Sequence, residues 1–151
     1  MYRQGRQMLQ EAEILEIVKK CKVCHLGLAR DNVPYVIPVY YGYDIWDEQL
    51  ILYFDCPPLG KKMDILRQNQ NACFEINTLE QAACNAACEC IGGTGRIAVC
   101  RDGREKEKAL KCIAGHYRPG AEPVFSAEEI ERASILKLFV IDYTGKWFEG
   151  V

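Results

Sequence analysis

The sequence predicts a mainly β protein with peripheral helices, a six-stranded antiparallel barrel, and three observations lead there. Six segments alternate in polarity, or run apolar, over strand length. Most of these segments are joined as hairpins, the pattern of antiparallel rather than crossover connections. Three or four short helical stretches separate the strands, an arrangement that fits a barrel better than a doubly wound sheet. No repeat, low-complexity tract or linker divides the chain, so residues 1–151 are expected to form a single domain.

In chain order, residues 10–20 (QEAEILEIVKK) set Ile14, Leu15, Ile17 and Val18 on one face of a short helix. VCHLGLAR follows as the first strand, with Cys24, Leu26 and Leu28 on one side and Val23, His25, Gly27 and Ala29 on the other. Asp31-Asn32 tolerate the left-handed geometry of a tight hairpin and turn the chain into VPYVIPVYYGYD, the second strand. Pro38 lies within that strand. A proline cannot donate to a sheet ladder, so it marks an edge, a bulge or a surface facing a ligand. A turn near 44–49 precedes LILYF, the third strand.

PPLGKKMDILRQN then begins a helix on which Leu59, Met63 and Leu66 recur at helical spacing. NACFEINT alternates as a fourth strand. CIGGTGRIAVC is a fifth, with Gly92, Gly93 and Gly95 where another backbone or a ligand comes close. GREKEKALKCIAGHY makes a helix with Ala109, Leu110 and Ile113 inward, Ser126 and Glu129 form a capping box, and ILKLFVIDY ends the set as the sixth strand.

A formal net charge of −2, from 19 Lys+Arg against 21 Asp+Glu, gives no general case for nucleic acid, so any anion site must be local. The polar first twenty residues have no apolar signal core. No window approaches the ~20 apolar residues of a membrane span, and a cytoplasmic protein is expected. Nine cysteines without a secretory signal point to reduced thiols rather than a disulfide framework. CKVCH resembles half a zinc knuckle, and Cys84, Cys88 and Cys90 could supply three thiolates. Packing is the simpler reading: Cys24 lies in an alternating strand, and Cys73 and Cys100 read as small core hydrophobes.

Several chemistries find no motif. GGTGR lacks the third glycine of a dinucleotide fingerprint, and no Walker A pattern occurs. The only serines, Ser126 and Ser134, read as a cap and a strand start, and no G-x-S-x-G exists. His116 ends a helix, where a cation meets a favourable dipole, and His25 reads as a sheet residue. Gly60-Lys61-Lys62 is different. Two cations in a first helical turn oppose the dipole by ~0.3–1 kcal/mol, unless an anion is held there. Free amides, a glycine and one or two ammonium groups make a mono-phosphate cradle.

Taken together, PYVIPVYYGYD, then LILYFDCPPLGKKMDILRQNQNACFEIN, then IGGTGRI resemble the pyridoxamine 5′-phosphate oxidase-like flavoproteins, nearest the 5-nitroimidazole resistance branch, over about 11–143. The resemblance implies the FMN-binding split β-barrel, a homodimer with FMN in a cleft between subunits, and an FMN-dependent oxidoreductase acting on a small molecule. It implies that Lys61 and Lys62 hold the flavin phosphate and that Pro38, Val39, Tyr40 and Tyr41 lie along the ring or ribityl chain. Phe54, Asp55 and Cys56 would end the strand beside it, and Cys90 matches a position where relatives often carry a hydrogen-bonding serine. This chain has Asp55-Cys56 where relatives of that branch commonly have histidine and serine. The alternatives are a non-catalytic flavin or haem module, with His25 or His116 as iron ligand, and a thiolate metal protein.

Overall fold

The computed structural model describes residues 7, 8, 10–81 and 87–149. In order these form β1 (Gln7–Met8), α1 (Glu11–Lys20), β2 (Val23–Arg30), β3 (Val33–Tyr40), β4 (Gly42–Trp46) and β5 (Gln49–Asp55). There follow α2 (Lys61–Gln68), β6 (Asn71–Asn77), a 3-10 turn (Leu79–Gln81), β7 (Ala87–Cys100), α3 (Gly103–Tyr117), α4 (Ala127–Arg132) and β8 (Ile135–Glu149). Every ladder is antiparallel, in the order β3-β2-β6-β7-β8-β5-β4, with β1 added against β8.

The mainly β architecture with peripheral helices is as expected, but the six-stranded antiparallel barrel is corrected. Among the described residues, seven strands follow one path and its two ends, β3 and β4, do not pair, so the sheet is open. The extra strand arises because VPYVIPVYYGYD breaks at Tyr41. There the side chain turns fully into the core, and Gly42 passes so close to α3 that a Cβ would lie 2.5 Å from the Ile113 amide nitrogen.

Local chemistry explains the strand ends. Asp31 and Asn32 have φ of 52° and 63°, the left-handed pair a two-residue hairpin requires, and Asp47-Glu48 repeat the geometry between β4 and β5. β3 lies at the edge of the sheet, where Pro38 costs no inner ladder bond. In β7, a Cβ on Gly93 or Gly95 would stand 2.1 Å from a carbonyl of β8, so those glycines permit the tight crossing at the bulge between Thr94 and Gly95.

β5 is buried on both faces, which is why it reads as a continuous apolar run rather than an alternating one. Leu52 and Phe54 join Ile17, Val18, Leu26 and Ile76 in the main core, while Ile51 and Tyr53 pack with Ala109 and Ile135 beneath α3. Cys24 and Cys100 are buried in these cores; Cys73, expected there, is exposed on the outer face of β6.

A candidate anion-binding groove

An open groove of about 500 Å³ runs along β3, past the end of β5, to the first turn of α2. Its volume falls within the ~300–1,000 Å³ typical of small-molecule sites. Tyr35, Ile37 and Val39 share one face of β3 at two-residue spacing and form an apolar wall, with Pro38 and Tyr40 at its rim. Asp55 and Cys56 close one side, and Leu59, Gly60, Lys61 and Lys62 the far end. As an edge strand, β3 also has a row of backbone groups outside the ladder.

The far end is built for an anion. Gly60 is the N-cap residue of α2 at φ 120°, a backbone region closed to other residues, although the space around its Cα is empty. Among the described residues no side chain caps the helix, and its first backbone bond, from the Asp64 amide to the Gly60 carbonyl, leaves the amides of Lys61, Lys62 and Met63 in the uncapped first turn. Among the described residues, neither Lys61 nor Lys62 enters an ion pair. The Lys61 ammonium lies 4.9 Å from the centre of the Tyr35 ring. Burial pushes the Cys56 thiol above its usual range, and the neighbouring Lys62 ammonium pulls it partly back. Asp55 has its carboxyl raised by partial burial. No cation among the described residues pairs with it.

Pro38, Val39, Tyr40, Asp55, Cys56, Lys61 and Lys62 thus come together from three separate stretches of chain. Three of the expected residues do not join them. Tyr41 is fully buried, its hydroxyl donating toward the carbonyls of Val18 at 2.5 Å and Cys21 at 2.8 Å, so its side chain cannot stack on a ligand in this groove. Phe54 is fully buried in the main core, because odd and even residues of β5 face opposite sides of the sheet. Cys90 sits on β7 opposite Asn77 and Lys146, away from the groove lining. Tyr35 and Ile37 join the lining beyond the expected residues, and two-residue spacing back from Val39 along β3 is the sequence signal for them.

The residues outside the groove bear on the other chemistries. His116 is buried, and its Nε2–H donates to the Cys21 carbonyl at 2.6 Å, so it is neither an exposed iron ligand nor a solvated cation on the helix dipole. His25 is held through Nδ1 by Glu75 at 2.9 Å. Among the described residues, no three His, Cys, Asp or Glu side chains converge to hold a metal; Cys84, one of the proposed thiolates, lies outside them. No helix among the described residues is long and apolar enough to cross a membrane.

Residues 10–147 match the family model described as pyridoxamine 5′-phosphate oxidase. The chain belongs to that family. Among solved structures of similar fold is a candidate 5-nitroimidazole antibiotic resistance protein from Bacteroides thetaiotaomicron VPI-5482. It is 25% identical, with a TM-score of 0.80 over 98% of this chain and 92% of that one. An FAD-binding protein from Mesorhizobium loti aligns at 18% identity and TM-score 0.67, over 94% of this chain and 97% of that chain. An FAD and heme binding protein from Mycobacterium smegmatis aligns at 13% identity and TM-score 0.72, over 97% and 75% respectively. No curated protein matches the sequence. In this member of the pyridoxamine 5′-phosphate oxidase family, the groove brings the free edge of β3 to the cationic start of α2.

Proposed function

We propose that this protein is an FMN-dependent oxidoreductase and that the groove is its flavin site. The observation that carries the reading is the meeting, in one groove, of an uncapped helix N-terminus bearing two lysines and an apolar strand edge. A flavin mononucleotide has the matching polarity: a phosphate at one end and, at the other, a flat ring system whose faces and dimethylbenzene edge are apolar. Lys61, Lys62 and the first-turn amides of α2 would hold the phosphate, and Tyr35, Ile37, Pro38, Val39 and Tyr40 would lie along the ring and ribityl chain. Bound flavin supplies the electron chemistry, so the protein needs no nucleophile or acid–base pair of its own. The single cationic end favours FMN over a dinucleotide, and the flavin-binding proteins of similar fold lend support.

The chain is also proposed to act as a homodimer in the cytoplasm, a second copy covering the groove. The groove is open to solvent, and apolar residues at its edge stand exposed: Tyr40 by 68% and Leu59 by 75%. Sedimentation showing a monomer at micromolar concentration would count against a shared site.

The deciding experiment compares FMN with riboflavin, which lacks the phosphate, in titrations of flavin-free protein. FMN should bind more tightly. Lys62→Ala should remove ~1.5–3 kcal/mol of FMN affinity, the scale of a charge-assisted bond, and leave riboflavin binding unchanged. Equal loss for both ligands would place the phosphate elsewhere. Absence of any flavin binding would overturn the function.

A further inference from the structure

The ladder between β2 and β3 ends at the pair Val23 and Tyr40, so the next rung would face Lys22 with Tyr41. A phenol stands in its place. The Tyr117 hydroxyl, from the last residue of α3, donates to the Lys22 carbonyl at 2.6 Å and accepts from the Tyr41 amide at 3.2 Å. Inserted there, it satisfies both backbone groups while the chain leaves β3 and turns inward at Tyr41. The Lys22 ammonium locks the same corner, donating to the His116 carbonyl at 2.6 Å and lying 5.6 Å from the centre of the Tyr117 ring.

The exposed ring of Tyr40 meets that corner edge-on. Its centroid is 5.5 Å from that of Tyr117, at an interplanar angle of 86°. Tyr40 lines the groove near one end of the β3 wall and is otherwise 68% exposed on an edge strand. An aromatic side chain so exposed has several rotamers open to it, and an edge-to-face partner selects among them.

We propose that Tyr117 is a positioning residue of the groove, holding the Tyr40 ring where it packs on the planar ring of the bound ligand. The inference rests on the flavin reading above and extends the site to α3, which does not itself line the groove. Tyr40 makes the contact; Tyr117 acts through it, by its ring edge and by fixing the backbone on either side of the strand end.

Flavin fluorescence provides a signature that a merely structural role would not move, because a tyrosine packed on the ring quenches it. FMN is titrated into flavin-free wild type, Tyr40→Leu, Tyr117→Leu, Tyr117→Phe and the double Leu variant. Bound FMN should be quenched in wild type and brighter in Tyr40→Leu, with affinity about two- to tenfold weaker, the range of one aromatic pair. Tyr117→Leu should reproduce that brightening although Tyr40 is present, and the double variant should add nothing to either single change. Tyr117→Phe keeps the ring edge and loses both hydrogen bonds, so its brightening should be partial; it carries the test if Tyr117→Leu fails to fold. Quenched FMN in both Tyr117 variants, or additive effects in the double variant, would overturn this inference alone. Wild type that binds no FMN would overturn the flavin reading and this inference with it.

Discussion

Tyr41→Phe separates a core role from a ligand role at a position where the family resemblance and the fold disagree. The substitution removes one oxygen and leaves the ring, which packs at 4.6 Å centroid distance on His116. The lost hydroxyl serves the carbonyls of Val18 and Cys21. Cys21 keeps a donor, since His116 still bonds it at 2.6 Å. Val18 lies in the last turn of α1, where carbonyls have no helical partner, so its oxygen is left buried and unpaired. One net hydrogen bond is worth ~0.5–1.5 kcal/mol and an orphaned buried carbonyl costs ~1–3, giving an expected loss of about 1–3 kcal/mol. For a chain of this size, that lowers Tm by roughly 2–4 °C per kcal/mol. Urea unfolding measures it directly: the midpoint should fall with the slope unchanged. FMN affinity should stay within twofold. An unchanged midpoint would refute the orphaned-carbonyl argument, and a tenfold loss of FMN affinity with intact stability would return Tyr41 to the groove.

Gly42→Ala forces a Cβ to within 2.5–2.7 Å of the backbone at Cys112 and Ile113, which cannot rotate away, so a loss of at least ~1–3 kcal/mol is expected in thermal melts. Gly115→Ala, on the same helix with open space around it, should instead stabilise by about 0.5–1 kcal/mol; matching signs for the two would contradict the packing of α3 on β4. Burial pushes the His116 imidazole below its ordinary value; the Lys22 charge adds to this and the bond to Cys21 opposes it. Folding therefore favours the neutral ring. Its contribution is complete above the unfolded value of about 6.5 and is lost as pH falls through that value toward the folded one. Melts between pH 8 and 5 should show a steeper acid loss in wild type than in His116→Gln, and identical slopes would exclude the linkage. Ser126→Ala breaks the capping box with Glu129 on an exposed helix and should cost about 1 kcal/mol without changing flavin binding.

The elements with local causes were legible in the sequence. The Asp31-Asn32 hairpin, the Ser126 cap and the alternation of β2 and β6 each depend on residues a few positions apart. The start of α2 was legible for the same reason: Gly60-Lys61-Lys62 opposes the helix dipole within a single turn, and that mismatch is visible without any tertiary contact. Only the folded chain decided the rest. The break at Tyr41 follows from a buried hydroxyl that finds α1 and from a glycine that passes beneath α3, both partners distant in sequence. The same pairing of distant segments buries His116, exposes Cys73 and puts Tyr117 at the end of a ladder whose last backbone groups lie 76 and 95 residues earlier. Sequence periodicity shows which side of a strand a residue takes, but what covers that side is set by the sheet order. In β5 both sides are covered, so Phe54 lies in the core while Asp55, one residue on, reaches the groove.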